Sequence, residues 1–566
     1  VKNQLVARIL NEVADQLEMR GVEFKPQAYR RAARTVEALA QPIEQIYAKG
    51  KLEELPGIGA SIAKKIAEII DTESLSYYEE LKKKSPVKLD ELLSVEGIGP
   101  KTAGLLYKRL GITSIDELEK AAKLHRIRDI KGLGQKTEEN VLAAIGMARS
   151  RGQRALLDTA YSLAESVRKR LESKTLNVEV AGSLRRMKET VGDLDIVAAT
   201  EDPRELAGVF TKMPNVTKVL ESGETKSSVL IHGNVQVDLR IINKNSFGTA
   251  LMYFTGSKDH NIALRKIAIE RGLKLNEYGL FKKDTMIAGR TEEEVYRKLG
   301  LSYIPPELRE DQGEISAAKE NKLPNLIQYD SIRGDLQSHS TWSDGHRTIE
   351  EMARAAQAVG YSYIAITDHY SPIPIVHGLN ERRLKEQSAE IDKANDKLRG
   401  IRILKGAEVD ISPDGNLTAE NNALQQLDLV VASVHSAFKQ TRREMTNRII
   451  AAMENEHVKI IGHPTSRKIN RKNPCDMDME AIFDASKRTK TYLEVNASPQ
   501  RLDLSDANTR LALKAGCKVA VNTDAHDEKE LLNMRFGIGV ARRGWATQQD
   551  VVNTSNLDGL MQLLKK

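Results

Sequence analysis

Apolar positions along the chain change their period twice. Over residues 1–150 they recur every three or four positions in short runs, as in VKNQLVARILNEVADQLEMRG, and predict a series of short amphipathic helices. After Arg154, strand-like segments alternate with helical ones: NVEVAG (177–182), LDIVAA (194–199), VTKVLES (216–222) and VQVDLRII (235–242). That is an α+β pattern. From Ser331 onward the strands are almost wholly apolar and alternate with helices: IRGDLQSH (332–339), YSYIAITDH (361–369), IRILKGAEVD (401–410), LDLVVASVH (427–435), VKIIGHP (458–464), TYLEVNAS (491–498) and KVAVNTDAH (518–526). Strands buried on both faces belong to parallel sheets, and seven in series predict closure into a (β/α)7-type barrel. Between the two rhythms, polar and proline-ended DQGEISAAKENKLPN (311–325) reads as linker.

Composition narrows the class. With 566 residues, 40% hydrophobic and 29% charged, the chain is expected to be globular and multidomain. It has no run of about 18 apolar residues, so no membrane span is expected, and its acidic, helical N-terminal stretch does not resemble a secretory signal. Two cysteines, Cys475 and Cys517, fit a reducing cytoplasm and build neither a disulfide scaffold nor a cysteine zinc site. Lys+Arg 86 against Asp+Glu 79 leaves +7, a mild excess compatible with nucleic acid.

One turn recurs at intervals of 40 and 35 residues in the helical region: LPGIGASIAKKI (55–66), VEGIGPKTAGLLYKRL (95–110) and IKGLGQKTEENVL (130–142). Each places a Gly-apolar-Gly turn before a helix with lysine in its first turns: Gly57 and Gly59 with Lys64 and Lys65, Gly97 and Gly99 with Lys101, Gly132 and Gly134 with Lys136. Glycine lets backbone approach a ligand, and a helix N-terminus favours an anion. A single copy would be an ordinary inter-helix turn; three copies suit DNA phosphates without base readout.

The most informative stretch of the first half is GSLRRMKETVGDLDIV (182–197). Residues i and i+2 of a strand share a face, so Asp193 and Asp195 point the same way, and such a pair is costly unless cations hold it. Asp238 in VQVDLRII offers a third carboxylate. Three converging carboxylates suit two Mg²⁺ or Mn²⁺ ions, with Gly182, Ser183, Arg186 and Gly192 available to phosphates. An exposed Asp-x-Asp pair is the bland alternative, weakened by the preceding Gly-Ser and the third Asp.

These motifs together resemble family X DNA polymerases, the group of DNA polymerase β, over about residues 1–315. The resemblance implies an N-terminal helical DNA-binding domain (1–80), fingers with helix-hairpin-helix motifs (81–150), a nucleotidyltransferase palm (151–245) and a thumb (246–315), joined through 316–330 to the barrel (331–566). It implies that Asp193 and Asp195 bind both metals and Asp238 the one beside the primer 3′-hydroxyl. In YFTGSKDHNIALRKIAIERGLKLNEYG (253–279), Tyr253, Phe254 and Gly256 match the turn that meets the nucleotide sugar, Asn261 and Arg265 the positions touching the incoming base and the template strand. Lys65 falls on the lysine that forms a Schiff base in relatives with 5′-deoxyribose phosphate lyase activity, and Ser61 replaces a second family lysine; the other role open to Lys65 is a phosphate contact. Val191 stands where some relatives carry a hydroxyl residue.

Eight of the eleven histidines follow residue 331, most of them at strand ends. His339, His369, His435, His463 and His526 join Asp344, Glu408 and Asp524 at the face where barrel active sites gather. Imidazole and carboxylate together suit Zn²⁺, Mn²⁺ or Fe²⁺; His346, His377 and His457 are read as surface or supporting residues. The motifs DLQSHSTWSDG, TDH, GAEVD, SVHS, GHPT and TDAH resemble the PHP (polymerase and histidinol phosphatase) domain, a metal-dependent phosphoesterase. Its first motif usually reads His-x-His; here Gln337 takes the leading place, where an amide oxygen can still ligate. The resemblances imply a polymerase filling short gaps in DNA during repair, in the cytoplasm at the nucleoid. Its barrel would act as a 3′→5′ exonuclease on DNA 3′ ends or cleave at abasic sites, with Mn²⁺ and/or Zn²⁺. Gapped or nicked DNA and dNTPs would be its substrates, and the chain would be a monomer. The competing readings are a template-independent nucleotidyltransferase fused to a small-molecule phosphatase, and a DNA-binding scaffold with an inactive barrel.

Overall fold

The computed structural model describes all residues except 1, 38, 40–42, 94, 96, 131, 152–153, 232–233, 372–375 and 566. The chain forms two compact units, Val1–Gln153 and Arg154–Lys566.

The first unit is helical, with one apolar cluster drawn from Val6 through Leu81 and a second from Val87 through Ile145 joined by Met19. Gly57, Gly97 and Gly132 adopt φ of +80°, +90° and +98°, backbone that only glycine enters without strain. Each reverses the chain so that the next helix starts three residues later, at Ala60, Pro100 and Gln135. Gly59 and Gly99 are the extended N-caps of helices Ala60–Thr72 and Pro100–Leu110, and neither offers a side-chain acceptor to the first-turn amides.

In the second unit, strands β1 (Asn177–Val180), β2 (Asp193–Ala199), β3 (Val216–Ser222), β4 (Lys226–Ile231) and β5 (Val235–Ile242) form a sheet in the order β1-β2-β5-β4-β3. Only β2 and β5 run parallel, and that pairing sets Asp195 opposite Asp238. Helices Leu157–Leu171 and Pro203–Thr211 cover one face, and Phe247–Thr255 covers the other. Residues 258–308 add two helices, Lys258–Glu270 and Glu292–Lys298, and a three-stranded meander around Leu264, Leu280, Val295 and Tyr296. Buried Glu292 ties this part to the sheet: its carboxylate accepts from Arg185 Nη1 and Nη2 at 2.8 and 2.7 Å and from Arg309 Nη1 at 2.6 Å. Burial alone would raise this carboxyl, but the Arg309 and Arg185 guanidinium groups hold it at about 2. A depressed carboxyl stabilises the fold above its unfolded pKa and loses that contribution as pH falls toward its folded one. Glu292→Gln is expected to cost about 3–5 kcal/mol at neutral pH, because buried Arg309 and half-buried Arg185 lose their counter-charge. Urea titration would show it as a lower midpoint, the gap between wild type and variant closing from about pH 4.5 down to pH 2.

Seven parallel strands follow in sequential order: β6 (Gly334–Ser338), β7 (Tyr363–Ile366), β8 (Arg402–Asp410), β9 (Leu429–Ser433), β10 (Val458–Ile461), β11 (Tyr492–Asn496) and β12 (Val519–Asn522). β6 returns to β12 through a parallel bridge between Ser338 and Ala525, and the His339 amide donates to the Ala525 carbonyl at 2.8 Å, so the barrel nearly closes. The strand expected over 361–369 is split. Asp368 leaves the ladder and accepts from the Ser340 amide, the Ser340 and Ser343 hydroxyls and the Gln387 amide, and pairing resumes only at His369–Tyr370.

The segment 316–330, read as a linker, is not a free tether. It includes most of helix Glu314–Lys319, buries Leu326 and Ile327, and bridges Leu326 to Thr547. One apolar cluster runs from the five-stranded sheet into the barrel. Barrel helix Met534–Arg543 seals that junction: a Cβ on Gly539 would meet Met187 at 3.0 Å, and Phe536 packs edge-on to Tyr161 at 5.9 Å. The two strand-bearing parts therefore share one core. Among the described residues, no helix is long and apolar enough to cross a membrane.

Candidate active sites

The acidic centre of the sheet is built by register. Asp193 and Asp195 occupy one face of β2, and Asp238 lies beside Asp195 on β5. Gln236 Nε2 donates to Asp238 Oδ1 at 2.9 Å. Burial, then Asp193 and Asp238, push the Asp195 carboxyl up to about 7. Three acids this crowded, with too little positive charge around them, are what a cation centre requires. Gly182, at φ +63°, lets the chain turn directly over them; a Cβ there would lie 2.2 Å from Asp195 Oδ2. Ser183 follows in the short helix Gly182–Arg185, and a Cβ on Gly192 would meet Arg154 Nη1 at 3.1 Å.

Arg186, expected to face phosphates, is engaged elsewhere. Its Nε donates to Glu310 at 3.1 Å and its Nη1 to the Thr255 carbonyl. Glu310 is also paired with Arg543 of the barrel at 2.9 Å, and Arg543 donates to the Arg186 carbonyl at 2.8 Å. Tyr253 and Phe254 end the covering helix with rings edge to face at 5.3 Å, and Arg240 lies 4.7 Å over Phe254. Gly256 (φ +70°) then turns the chain. Asn261 Nδ2 donates to the Tyr253 carbonyl at 2.7 Å, and Arg265 Nε to the Asn261 carbonyl at 3.4 Å. This row of groups is therefore set before any ligand arrives.

In the helical unit, Lys65 Nζ lies 3.3 Å from the Ser61 carbonyl, 3.2 Å from its hydroxyl and 5.1 Å over the Tyr77 ring.

The barrel mouth gathers all eight expected His, Asp and Glu side chains. Glu408 is central: Oε1 lies 3.0 Å from His463 Nε2 and 3.5 Å from His435 Nε2, Oε2 3.0 Å from His369 Nδ1 and 3.6 Å from His339 Nε2. Asp524 Oδ1 is 3.1 Å from His339 Nε2, and Asp344 lies 3.4 Å from His526 and 3.6 Å from His369. Three overlapping groups have ligand atoms mutually within 4.8 Å: His339, Asp344, His369 and His526; His369, Glu408 and His435; His339, Glu408 and Asp524. Among the described residues the sheet's acids form no group that tight.

Electrostatics follow the contacts. Burial opposes charge on His369 and His526, yet Glu408 and Asp344 drive the first up to about 11, and Asp344 and Asp524 the second to about 9. Burial, with Arg501 nearby, lowers His463 to about 4. Asp344 and Asp524 are held far below the usual carboxylate range against burial, by His369 and His526 around the one and His339 and His526 around the other. Buried Asp410 accepts from His435 Nδ1 at 2.6 Å and aims its other nitrogen inward; the Asp524 carbonyl does the same for His526 at 2.8 Å. Gln337 is fully buried, and among the described residues both its amide oxygen and nitrogen lack a partner. A donor set with an orphaned buried amide and shared carboxylates fits metal ions.

These groups open into a cavity of about 530 Å³ whose wall also carries Lys468, Ser498, Gln500 and Arg501. Sequence reasoning missed that wall, and His346, read as surface or supporting, lines the cavity too. The available signal was the basic run SRKINRK (466–472) after GHPT.

Four family models match the chain: a helix-hairpin-helix domain over residues 1–75, a SAM-like helix-hairpin-helix tandem over 89–146, the DNA polymerase beta thumb over 250–310 and the PHP domain over 335–498. The chain is 38% identical over 571 residues to the DNA polymerase/3′-5′ exonuclease PolX of Bacillus subtilis (strain 168), covering 99% of each. A protein named "Probable phosphatase" from Thermoanaerobacter sp. (strain X514) is 32% identical over 237 residues, 39% of this chain and 89% of that one. DNA polymerase lambda of Rattus norvegicus is 23% identical over 342 residues, 54% of this chain and 56% of that one.

Proposed function

The chain belongs to the family X DNA polymerases that carry a C-terminal PHP domain, and from this we infer that it extends primer 3′ ends across short DNA gaps at the sheet and shortens 3′ ends at the barrel mouth. The observation that carries the inference is the pairing of two chemically distinct centres on one shared core. An all-carboxylate centre under a glycine turn suits nucleotidyl transfer; an imidazole and carboxylate centre at a barrel mouth suits phosphodiester hydrolysis.

Asp193, Asp195 and Asp238 would hold Mg²⁺ or Mn²⁺. Gln337, His339, Asp344, His369, Glu408, His435, His463, Asp524 and His526 would hold Mn²⁺ and/or Zn²⁺. When bound, such ions neutralise phosphate charge and make a hydroxyl or water a stronger nucleophile at neutral pH. The protein supplies the rest. The Gly182 turn and Ser183 offer amide and hydroxyl donors to the triphosphate, the edges of Tyr253 and Phe254 pack the sugar, and Asn261 and Arg265 sit ready for base and template. The uncapped amides after Gly59 and Gly99, and the matching turn at Gly132 and Gly134, hold duplex phosphates without reading bases. We take the chain to act as a monomer. For Lys65, borohydride trapping on an incised abasic site separates its two roles: an adduct lost in Lys65→Ala assigns the nucleophile, and no adduct assigns a phosphate contact.

The test of the whole reading is a gapped duplex with dNTPs and Mn²⁺. Extension that follows the template, and 3′ shortening when dNTPs are withheld, support it. Extension indifferent to the template would favour a template-independent transferase, and absence of both reactions would favour a scaffold.

A further inference from the structure

Besides its histidines and carboxylates, the barrel cavity is lined by two cations, Lys468 and Arg501. Arg501 lies 3.5 Å from Asp524, but among the described residues Lys468, Arg471 and Lys472 have no carboxylate within ion-pair distance. Burial, with Arg501 and Arg471 beside it, pushes the Lys468 ammonium below the ordinary lysine range against the opposing pull of Asp524.

The loop bearing these cations is firmly held. Lys468 and Lys472 exchange backbone hydrogen bonds at 2.9 and 2.7 Å, and the Ile469 amide donates to the Gln500 carbonyl at 2.7 Å. Arg467 donates to the Arg501 carbonyl at 2.9 Å and pairs with Glu189 of the sheet domain at 2.8 Å; Asn470 reaches the Arg154 carbonyl at 2.9 Å. The loop is thus fastened to the barrel on one side and to the polymerase half on the other. Lys472 Nζ sits 3.4 Å from the centre of the Phe438 ring, and Phe438 as a residue is 38% exposed. Fixed cations beside an exposed aromatic ring are the elements of a single-strand platform: phosphates meet the ammonium groups while a base stacks on the ring.

We propose that Phe438, Lys468, Arg471 and Lys472 form a strip that seats the last nucleotides of an unpaired DNA strand as its 3′ end enters the barrel. The proposal rests on the barrel being a 3′-end hydrolase and names what that site grips. An unpaired end presents bare bases and an accessible backbone to the strip, whereas a paired end leaves the ring nothing to stack on.

The test compares two substrates in Mn²⁺: an oligothymidylate, and the 4-nitrophenyl ester of thymidine 5′-monophosphate, which is too short to span the strip. In Arg471→Ala/Lys472→Ala and in Phe438→Ala, KM for the oligonucleotide is expected to rise about 10- to 100-fold, in line with about 1–3 kcal/mol for each stacked base. Turnover of the small ester should stay within about twofold. The charge variant should also lower the salt slope of log KM by about 0.7 for each cation removed. In Ca²⁺, quenching of a 3′-terminal 2-aminopurine should occur with the wild-type protein and vanish in Phe438→Ala. An unchanged oligonucleotide KM, equal loss on both substrates, or unaltered quenching in the variant would overturn the strip. Failure of the wild-type protein to cleave either substrate would overturn the hydrolase reading instead, while the quenching measurement would still judge the strip.

Discussion

Asp195→Asn is expected to reduce templated extension about 10³-fold or more while leaving 3′ shortening within twofold. The substitution keeps the shape of the side chain and removes the charge at the one acid flanked by both others. A lost electrostatic contact at a phosphoryl-transfer centre costs about 10²–10³-fold, and a metal ligand sits at the upper end of that range. Stability should move the opposite way. Burial and two neighbouring acids raise this carboxyl to about 7, so its ionised form destabilises the fold as pH rises past the unfolded value of 3.8. At pH 8 the Asn variant should therefore melt no lower than the wild-type protein. Primer extension, 3′ degradation and a thermal melt on one preparation check all three expectations. A variant that extends primers normally would remove the acidic centre from the chemistry, and one that loses both reactions while folded would refute the division of labour.

How much of this was legible beforehand depended on the range of each contact. The shared face of Asp193 and Asp195 follows from strand periodicity alone, so the sequence sufficed. The seven apolar strands and their polar ends likewise announced the barrel and the eight His, Asp and Glu side chains at its mouth, because strand ends in a parallel barrel converge whatever their loops do. Contacts made across the fold were hidden. Arg186 was read toward phosphates, yet Glu310, more than a hundred residues away, accepts its Nε and Arg543 shares that carboxylate. The polar composition of 311–325 suggested a tether, bounded at 316–330, and only the packing of Ala318, Leu326 and Ile327 against distant residues shows it to be folded. Lys468 and Arg501 escaped notice because they lie on loops beyond the strands, where no periodicity marks which side chains turn inward. The splitting of strand 361–369 had the same cause: four long-range donors to Asp368 outweigh the local β-propensity of YIAITDH.

The junction between the two catalytic halves gives those long-range contacts a purpose. Glu310 lies between Arg186 beside the acidic sheet and Arg543 on barrel helix Met534–Arg543, and Arg543 also pairs with Asp506 at 2.7 Å. Apolar packing at Gly539 and Met187 reinforces the same seam. With one core beneath both centres, a mutation in either site can be read for its local chemistry without invoking movement of the other.

Glu408→Gln should do at the barrel what Asp195→Asn does at the sheet, with a direct physical readout besides activity. Glu408 belongs to two of the three tight ligand groups, and its two oxygens face four different imidazoles. An amide of the same shape presents one weaker oxygen and one donor, so it can serve only one of the two groups and repels a cation from the other. The variant is expected to lose 3′ degradation about 10³-fold, with templated extension within twofold of wild type. Elemental analysis after dialysis against Mn²⁺ or Zn²⁺ should show fewer bound ions per chain than in the wild-type protein. Loss of the charge also leaves His369 without the carboxylate that drives it up to about 11, so its proton should come off at lower pH, visible in the imidazole resonances of the metal-free protein. Full metal content with full 3′ degradation in a folded Glu408→Gln protein would show that hydrolysis happens somewhere other than this mouth.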